Sequence, residues 1–229
     1  MEEPRFRYRF YEADQPKGVF HNHLPHWRQE GALYFVTFRL ADSIPAAVLH
    51  AWAEEQRIWL AANGIFPELS HEEQAAVCAQ IPVGMRRAFE REQQRRIHVQ
   101  LDKCHGDCML RDMEMAGIVR DAMLLFHENR LHCGDFVVMP NHIHWIVAPY
   151  AGCELEDLCG SVKRFSAGQI NERLHRKGQL WQHESFDHLI RNAAQLQRIR
   201  DYIRDNPLKA GLPADMCMYH RAVWIVDLV

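Results

Sequence analysis

Two short apolar runs, separated by two turn-forming residues, place the strongest local constraint on the fold of this chain. Residues 136–139 and 142–147 are rich in β-branched and aromatic side chains, and Pro140-Asn141 lies between them. This spacing is typical of two antiparallel strands joined by a tight turn. Because side chains alternate between the two faces of a strand, His142 and His144 are predicted to point the same way.

The segments around this predicted hairpin follow a regular order. We predict a strand at 33–40, an amphipathic helix at 112–129, a helix at 155–174, a strand at 185–190 and a helix at 193–205 that Pro207 ends. The resulting order is β-α-β-β-α-β-α. It favours an α+β fold with a ferredoxin-like, split βαβ antiparallel sheet and helices packed on it.

The stretch 41–105 differs in character from the rest of the chain. Ala, Glu, Gln and Arg dominate it, its apolar residues fall near helical spacing, and Pro67 and Pro82 interrupt it. We interpret it as a helical insertion of two or three helices in a single domain that spans 1–229. An N-terminal arm at 1–24 and a C-terminal tail at 206–229 complete the predicted organisation.

Composition restricts where the protein acts and what it binds. The formal net charge is −3, which argues against a protein that coats nucleic acid non-specifically. Basic residues nevertheless exceed acidic ones in 160–229, which suits a phosphate-containing substrate and equally suits a solvated helix face. No apolar run is long enough for a membrane helix, so we expect a cytoplasmic protein with no membrane partner.

Seven cysteines are spread along the chain without regular spacing. Reduced and mostly buried thiols are the simplest interpretation for a cytoplasmic protein. Cys104 and Cys108, with Cys133 as a further ligand, could alternatively form a zinc site. A second closely spaced pair, which is usual for structural zinc, is missing from the sequence.

His142 and His144 combine with two residues of the last predicted helix to suggest chemistry. Tyr202 and Asn206 are four residues apart and therefore share a helix face. Two imidazoles and an amide oxygen can hold a hard ion such as Mg²⁺ or Mn²⁺ beside a tyrosine nucleophile. Alternatively, the histidines are a buried or solvent-facing pair, and Tyr202 is a packing residue. Since Pro207 follows Asn206, we expect Asn206 to leave helical geometry.

Basic residues in two regions are candidates for contacts with DNA phosphates. Arg5, Arg7 and Arg9 alternate with aromatic residues, as in an arm that lies on a nucleic acid or in a plain edge strand. Lys163 and Arg164 lie on the predicted helix at 155–174. His183 and His188 precede the last helix. His188 could be a further metal ligand or a phosphate contact, whereas His183 is interpreted as a surface residue.

The segments 34–40, 139–144, 162–166, 181–188 and 202–212 together carry a resemblance to a known family. Their residues and their order are similar to those of the REP-associated tyrosine transposases. These form a branch of the HUH single-tyrosine transposases, whose HUH motif (histidine, hydrophobic residue, histidine) corresponds to residues 142–144. The resemblance implies a ferredoxin-like fold, in agreement with the predicted order of elements.

The resemblance also implies a function. Such an enzyme cuts and rejoins single-stranded hairpin DNA formed by REP-type inverted repeats, through a covalent 5′-phosphotyrosine intermediate. Tyr202 would be the nucleophile, and His142, His144 and Asn206 would hold Mg²⁺ or Mn²⁺. A nucleoid location and a possible homodimer follow by the same analogy. The alternatives are a domesticated hairpin-binding protein that does not cleave DNA in the cell and a metal-dependent hydrolase of small phosphoesters.

Overall fold

A five-stranded antiparallel sheet forms the centre of the computed structural model, which describes residues 8–11, 18–21 and 25–225. Its strands are β3 (Tyr34–Arg39), β4 (Leu131–Val138), β5 (His142–Pro149), β6 (Phe186–Leu189) and β7 (Met218–His220). They lie in the order β6-β3-β5-β4-β7. Two further strands, β1 (Gly18–His21) and β2 (Pro25–Arg28), pair only with each other.

Six α-helices surround the sheet within the described residues. They are α1 (Ala46–Ala62), α2 (His71–Gln80), α3 (Val83–Leu101), α4 (Met113–Leu124), α5 (Leu155–Arg173) and α6 (Ala193–Lys209). Helices α1 to α3 occupy the stretch interpreted as an insertion. The order β3-α4-β4-β5-α5-β6, with β3 and β5 in the middle of the four strands, is the predicted ferredoxin-like arrangement, which is confirmed. No helix in this part of the chain is long and apolar enough to cross a membrane.

The two faces of the sheet bury different sets of side chains, because successive side chains of a strand point to opposite faces. On β5, Ile143 and Trp145 join the larger apolar cluster, which α4 and α5 cover. Ile146 belongs to the second cluster, to which Leu196 and Ile203 of α6 contribute. His142 and His144 are in phase with Ile146, so they lie on the face that α6 covers. The prediction that both histidines point the same way is confirmed.

The hairpin that carries the histidines has longer strands than the apolar runs alone indicate. The backbone N–H of Met139 donates to the carbonyl of His142 at 2.8 Å, which closes the turn at Pro140-Asn141 as predicted. A bulge interrupts the pairing of β4 with β5 near Gly134. A Cβ atom there would lie 2.6 Å from the carbonyl oxygen of Ile146, so only glycine fits without movement of the backbone.

Helix α6 continues through Pro207, which corrects the prediction that this proline ends the helix. Proline removes one backbone donor and crowds the preceding turn, but near a C-terminus few hydrogen bonds depend on it. The helix instead ends after the backbone N–H of Ala210 donates to the carbonyl of Asn206 at 3.0 Å. Asn206 is therefore helical, and the expectation that it leaves helical geometry is wrong. As a result, it stays one turn from Tyr202 on the same face.

Residues 8–11 lie against the sheet. Arg9 forms a parallel bridge with Ala32, and the backbone N–H of Tyr11 donates to the carbonyl of Ile190 at 3.0 Å. Tyr8 and Phe10 pack against the cluster beneath α6. These four residues thus follow the edge-strand interpretation rather than that of a free arm. Arg5 and Arg7 lie outside the described residues.

Candidate active site

Helix α6 places Tyr202 directly above the two histidines of β5. The phenolic oxygen of Tyr202 lies 3.0 Å from Nε2 of His144, and Nε2 of His144 lies 3.1 Å from Nε2 of His142. Both imidazoles are completely buried, and Asn206 is 1% exposed. The structure thus brings together the tyrosine, the two histidines and the asparagine that the sequence predicts as site residues.

The side chain of Asn141 determines which nitrogen of His142 carries a proton. Its amide nitrogen donates to the carbonyls of His105 and Leu101, at 3.2 and 3.4 Å, so its oxygen faces His142. That oxygen lies 2.7 Å from Nδ1 of His142 and can only accept a hydrogen bond. Nδ1 of His142 is therefore the donor, and the lone pair on Nε2 faces His144.

Thr37 has the corresponding role for His144. It is the direct partner of His144 in the pairing of β3 with β5, and its hydroxyl lies 2.8 Å from Nδ1 of that ring. The Tyr202 hydroxyl lies 3.0 Å from Nε2 of His144, and in the tautomer with hydrogen on Nδ1 that nitrogen donates to Thr37 while Nε2 keeps its lone pair. Contacts of this kind orient metal-binding histidines in proteins.

The two histidines face each other through their Nε2 atoms, and in the tautomers with hydrogen on Nδ1 both atoms present a lone pair to a cation. Two ligands at right angles around an ion, each at about 2.1 Å, lie about 3 Å apart. The separation of 3.1 Å between the Nε2 atoms of His142 and His144 agrees with that geometry. Neutral imidazole is the form that binds metals, and burial keeps these rings neutral.

Asn206 adds an oxygen that has no hydrogen-bond partner in the described part of the chain. The amide of Asn206 hydrogen-bonds to the Tyr202 phenol one turn away, an interaction that lowers the pKa of that phenol. Its Oδ1 atom is buried, and no described residue donates to it; a buried polar oxygen left in this way is costly. The donor set of two imidazole nitrogens and one amide oxygen therefore fits a divalent ion at this position. Among the described residues, no three His, Cys, Asp or Glu side chains form a metal-binding group.

Burial controls the protonation of the site. It lowers the pKa of His142 to about 3 and that of His144 well below its ordinary value of 6.5, and the neighbouring imidazoles act in the same direction. Burial also raises the pKa of the Tyr202 phenol, and the negative charge of Asp102 adds to this effect. At neutral pH both imidazoles are uncharged, and the tyrosine keeps its proton unless a positive charge comes close.

Helix α3 contributes a residue that the sequence did not identify. The imidazole of His98 lies against the Tyr202 ring with centroids 5.5 Å apart and ring planes 24° from parallel. It also meets His144 edge to face at 5.3 Å. A single histidine on an arginine-rich helix carries no local signal, so only the packing of α3 on the sheet shows its position.

The other predicted contact residues lie away from this centre. The Lys163 ammonium donates to the carbonyls of Gln182 and His183, at 3.0 Å each, and burial lowers its pKa to about 8. Arg164 is exposed on α5, and Arg9 is exposed beside β3. The side chain of His183 is exposed, as predicted.

His188 lies on β6, where its ring is 5.2 Å from that of Phe35. Phe35 in turn stacks on His144 at 5.5 Å. His188 thus lies near the site, one aromatic ring away from His144. All seven cysteines are free, and five of them are buried.

Comparison with known proteins found similarity to a transposase family. The family model described as "Transposase IS200 like" matches residues 124–206. The matched segment includes His142, His144, Tyr202 and Asn206, and the resemblance to single-tyrosine transposases is confirmed.

The chain is also similar to a solved structure of a REP-associated tyrosine transposase bound to a REP hairpin. The TM-score is 0.48 and the sequence identity 15%, over 84% of this chain and 76% of that chain. No curated protein matches this chain.

Proposed function

We propose that this protein is a REP-associated tyrosine transposase that cuts and rejoins single-stranded hairpin DNA through a covalent phosphotyrosine. The contact of 3.0 Å between the Tyr202 hydroxyl and Nε2 of His144 carries the proposal. It joins residues that are 58 positions apart in the sequence. A tyrosine that only packed on the sheet would also need a partner for its hydroxyl. Here that partner is one of the two histidines that the sequence predicts as metal ligands.

Tyr202 would attack the scissile phosphate. A bond forms between the phenolic oxygen and phosphorus, the bond to the 3′-oxygen breaks, and that oxygen leaves with a proton as a 3′-hydroxyl. The phenol loses its own proton, so protons balance overall. One phosphodiester replaces another, and the reverse attack by a 3′-hydroxyl rejoins the strand without a nucleotide cofactor.

Three side chains prepare Tyr202 for this step. Nε2 of His144, which would ligate the ion through its one lone pair, lies 3.0 Å from the phenolic oxygen and so places that oxygen beside the metal site. The Asn206 amide stabilises negative charge on the phenolic oxygen, because a hydrogen bond donated to a phenolate favours the charged form. Asp102 opposes ionisation, so a cation near the phenol has a large effect on its reactivity.

His142, His144 and Oδ1 of Asn206 would hold a divalent ion, Mg²⁺ or Mn²⁺. Such an ion supplies positive charge that polarises a phosphate oxygen. Asn141 and Thr37 support the ligands by fixing their tautomers. The neutral amide oxygen suits a hard ion better than zinc, which prefers thiolate and imidazole ligands.

Single-stranded hairpins are proposed as the substrate because the motif resemblance points to the REP-associated branch. Arg164 and Arg9 are exposed and available to DNA phosphates. Arg5 and Arg7 remain predictions for the same role. Lys163, whose ammonium donates to two carbonyls, would need to exchange those hydrogen bonds for a phosphate.

A gel assay tests the proposed function. Purified protein is incubated with Mn²⁺ or Mg²⁺ and an end-labelled hairpin that carries an unpaired flanking segment. We expect a denaturant-resistant protein–DNA adduct with the hairpin, none with a perfect duplex of the same sequence and none with EDTA. Hairpin binding without any adduct would instead support the domesticated binding protein. Hydrolysis of a small phosphodiester that does not depend on Tyr202 would support the phosphoesterase.

Mutation of the predicted ligands should abolish Mn²⁺ binding. We expect His142→Ala and His144→Ala to lose the calorimetric signal of Mn²⁺ titration, since each removes one of the imidazole ligands. Thr37→Val removes only the supporting hydrogen bond of His144, whereas Asn141→Ala removes that of His142 together with the bonds to Leu101 and His105. Each should weaken binding by about 10–100-fold. His183→Gln, which changes an exposed histidine, serves as the control. Unaltered Mn²⁺ affinity in both alanine variants would remove these histidines from the site.

A further inference from the structure

The end of helix α3 is attached to the strand that carries the histidines. The amide nitrogen of Asn141 donates to the carbonyls of Leu101 and His105, which lie at the end of α3 and just after it. Ile97 and Leu101 of α3 are buried together with Ile44. These contacts place the last turns of α3 over the same face of the sheet as α6.

Two side chains of α3 reach the surroundings of Tyr202 from this position. The His98 ring lies nearly parallel to the Tyr202 ring, at 5.5 Å between centroids. Asp102, the residue that directly follows α3, lies about one turn beyond His98, and its charge acts on the same phenol. The Tyr202 ring also has Lys209 over it, at 5.1 Å from the ammonium nitrogen to the centroid.

His98 has features of a residue that supports another side chain. The ring borders a small cavity between α3 and the sheet, together with Thr37, Phe35 and His188. Thr37 and Phe35 both contact His144. His98 therefore touches the nucleophile on one side and the surroundings of His144 on the other.

We propose that His98 is a positioning residue that holds the Tyr202 ring in place, so that the helical insertion is part of the active site. This inference rests on the proposed function and goes beyond it, because the matched domain at 124–206 does not include α3. Phe35 meets the Tyr202 ring edge to face, and the flexible side chain of Lys209 lies over it, so neither fixes the plane of the ring. The flat His98 ring against one face restricts rotation of the tyrosine about its side-chain bonds and keeps the hydroxyl on His144.

The test compares His98→Ala, His98→Phe and Val99→Ala. Alanine removes the ring, and phenylalanine keeps a flat ring without nitrogen atoms. Val99 is the adjacent residue of α3, 44% exposed, and serves as the control. For each variant, three quantities are measured: the single-turnover rate of adduct formation at saturating hairpin, the hairpin Kd by gel shift, and the Tm.

We expect His98→Ala to lower the single-turnover rate by about 10–100-fold, since small displacements of a reacting group have effects of this size. Its hairpin Kd should stay close to that of the wild type. His98→Phe should restore most of the rate, and Val99→Ala should match the wild type. A wild-type rate in His98→Ala overturns the inference, as does a His98→Phe variant that is as slow as His98→Ala.

A measurement on the DNA-free protein separates this inference from the proposed function. The ring signals of Tyr202 are recorded by NMR in protein labelled at tyrosine and assigned by their loss in Tyr202→Phe. Removing the stacked imidazole in His98→Ala should shift these signals, and Val99→Ala should leave them in place. If the wild-type protein forms no adduct, the proposed function is wrong, but the NMR shifts still show whether His98 positions the Tyr202 ring. Unshifted Tyr202 signals in His98→Ala overturn the positioning role.

Discussion

Replacing Tyr202 with phenylalanine is expected to abolish the covalent DNA adduct while hairpin binding persists. The change removes only the phenolic oxygen, and the ring keeps its contacts with Phe35 and His98. Loss of a nucleophile in other covalent enzymes lowers the rate by several orders of magnitude, so we expect a fall of about four orders or more. The lost hydrogen bond should lower the free energy of unfolding by only about 1 kcal/mol.

Single-turnover assays measure the rate of adduct formation, and gel-shift titrations measure the affinity for the hairpin. Tyr219→Phe is the matched control, because Tyr219 lies on β7 and is 41% exposed. It should form the adduct at the wild-type rate. A covalent adduct in the Tyr202→Phe variant would show that another residue is the nucleophile.

The largest effect on stability is expected from Asp135→Ala. Asp135 lies in the bulged region of β4 and is 1% exposed. Its carboxylate accepts a hydrogen bond at 2.9 Å from Nε of Arg200 and another at 2.9 Å from the backbone N–H of Ala222. Removing it breaks this buried ion pair and leaves the backbone N–H of Ala222 without its acceptor. A loss of about 3–5 kcal/mol in the free energy of unfolding is expected.

Urea unfolding followed by circular dichroism measures this loss. Arg204→Ala is the control, because Arg204 lies on α6 like Arg200. Its ion pairs with Asp201 and Asp205 are exposed to solvent and contribute little to the free energy of unfolding. The double variant Asp135→Leu with Arg200→Met should be more stable than Asp135→Ala, since apolar side chains replace both members of this buried pair. If Asp135→Ala is as stable as Arg204→Ala, the buried pair does not anchor α6 to the sheet.

The ion pair of Asp135 with Arg200 also holds the helix that carries the candidate nucleophile. Arg200 is two residues before Tyr202 on α6, and its guanidinium also donates to the carbonyl of Ile225 at 3.2 Å. The pair therefore ties the helix that carries the tyrosine to the sheet and to the segment after β7. Asp135→Ala should lower adduct formation in the fraction of the protein that remains folded.

The sequence alone determined four of the five strands of the central sheet, the helices that follow them and the faces on which their side chains lie, whereas β7 and the pair β1–β2 were not predicted. Alternation along β5 placed His142 and His144 on one face, and helical spacing placed Tyr202 and Asn206 together. The order of strands and helices was sufficient to predict the sheet, because crossover connections leave few ways to arrange it. These features depend on residues close in sequence, so local pattern is enough to predict them.

Only the tertiary structure decided how these elements complete the site. His98 meets Tyr202, Asn141 reaches Leu101, and the Lys163 ammonium donates to two carbonyls because distant segments pack together. The course of α6 through Pro207 is a similar case, since packing of Ile203 on the sheet outweighs the helix-breaking tendency of proline near a helix end. Contacts between segments remote in sequence depend on the packing of whole helices against the sheet, and no local periodicity encodes them.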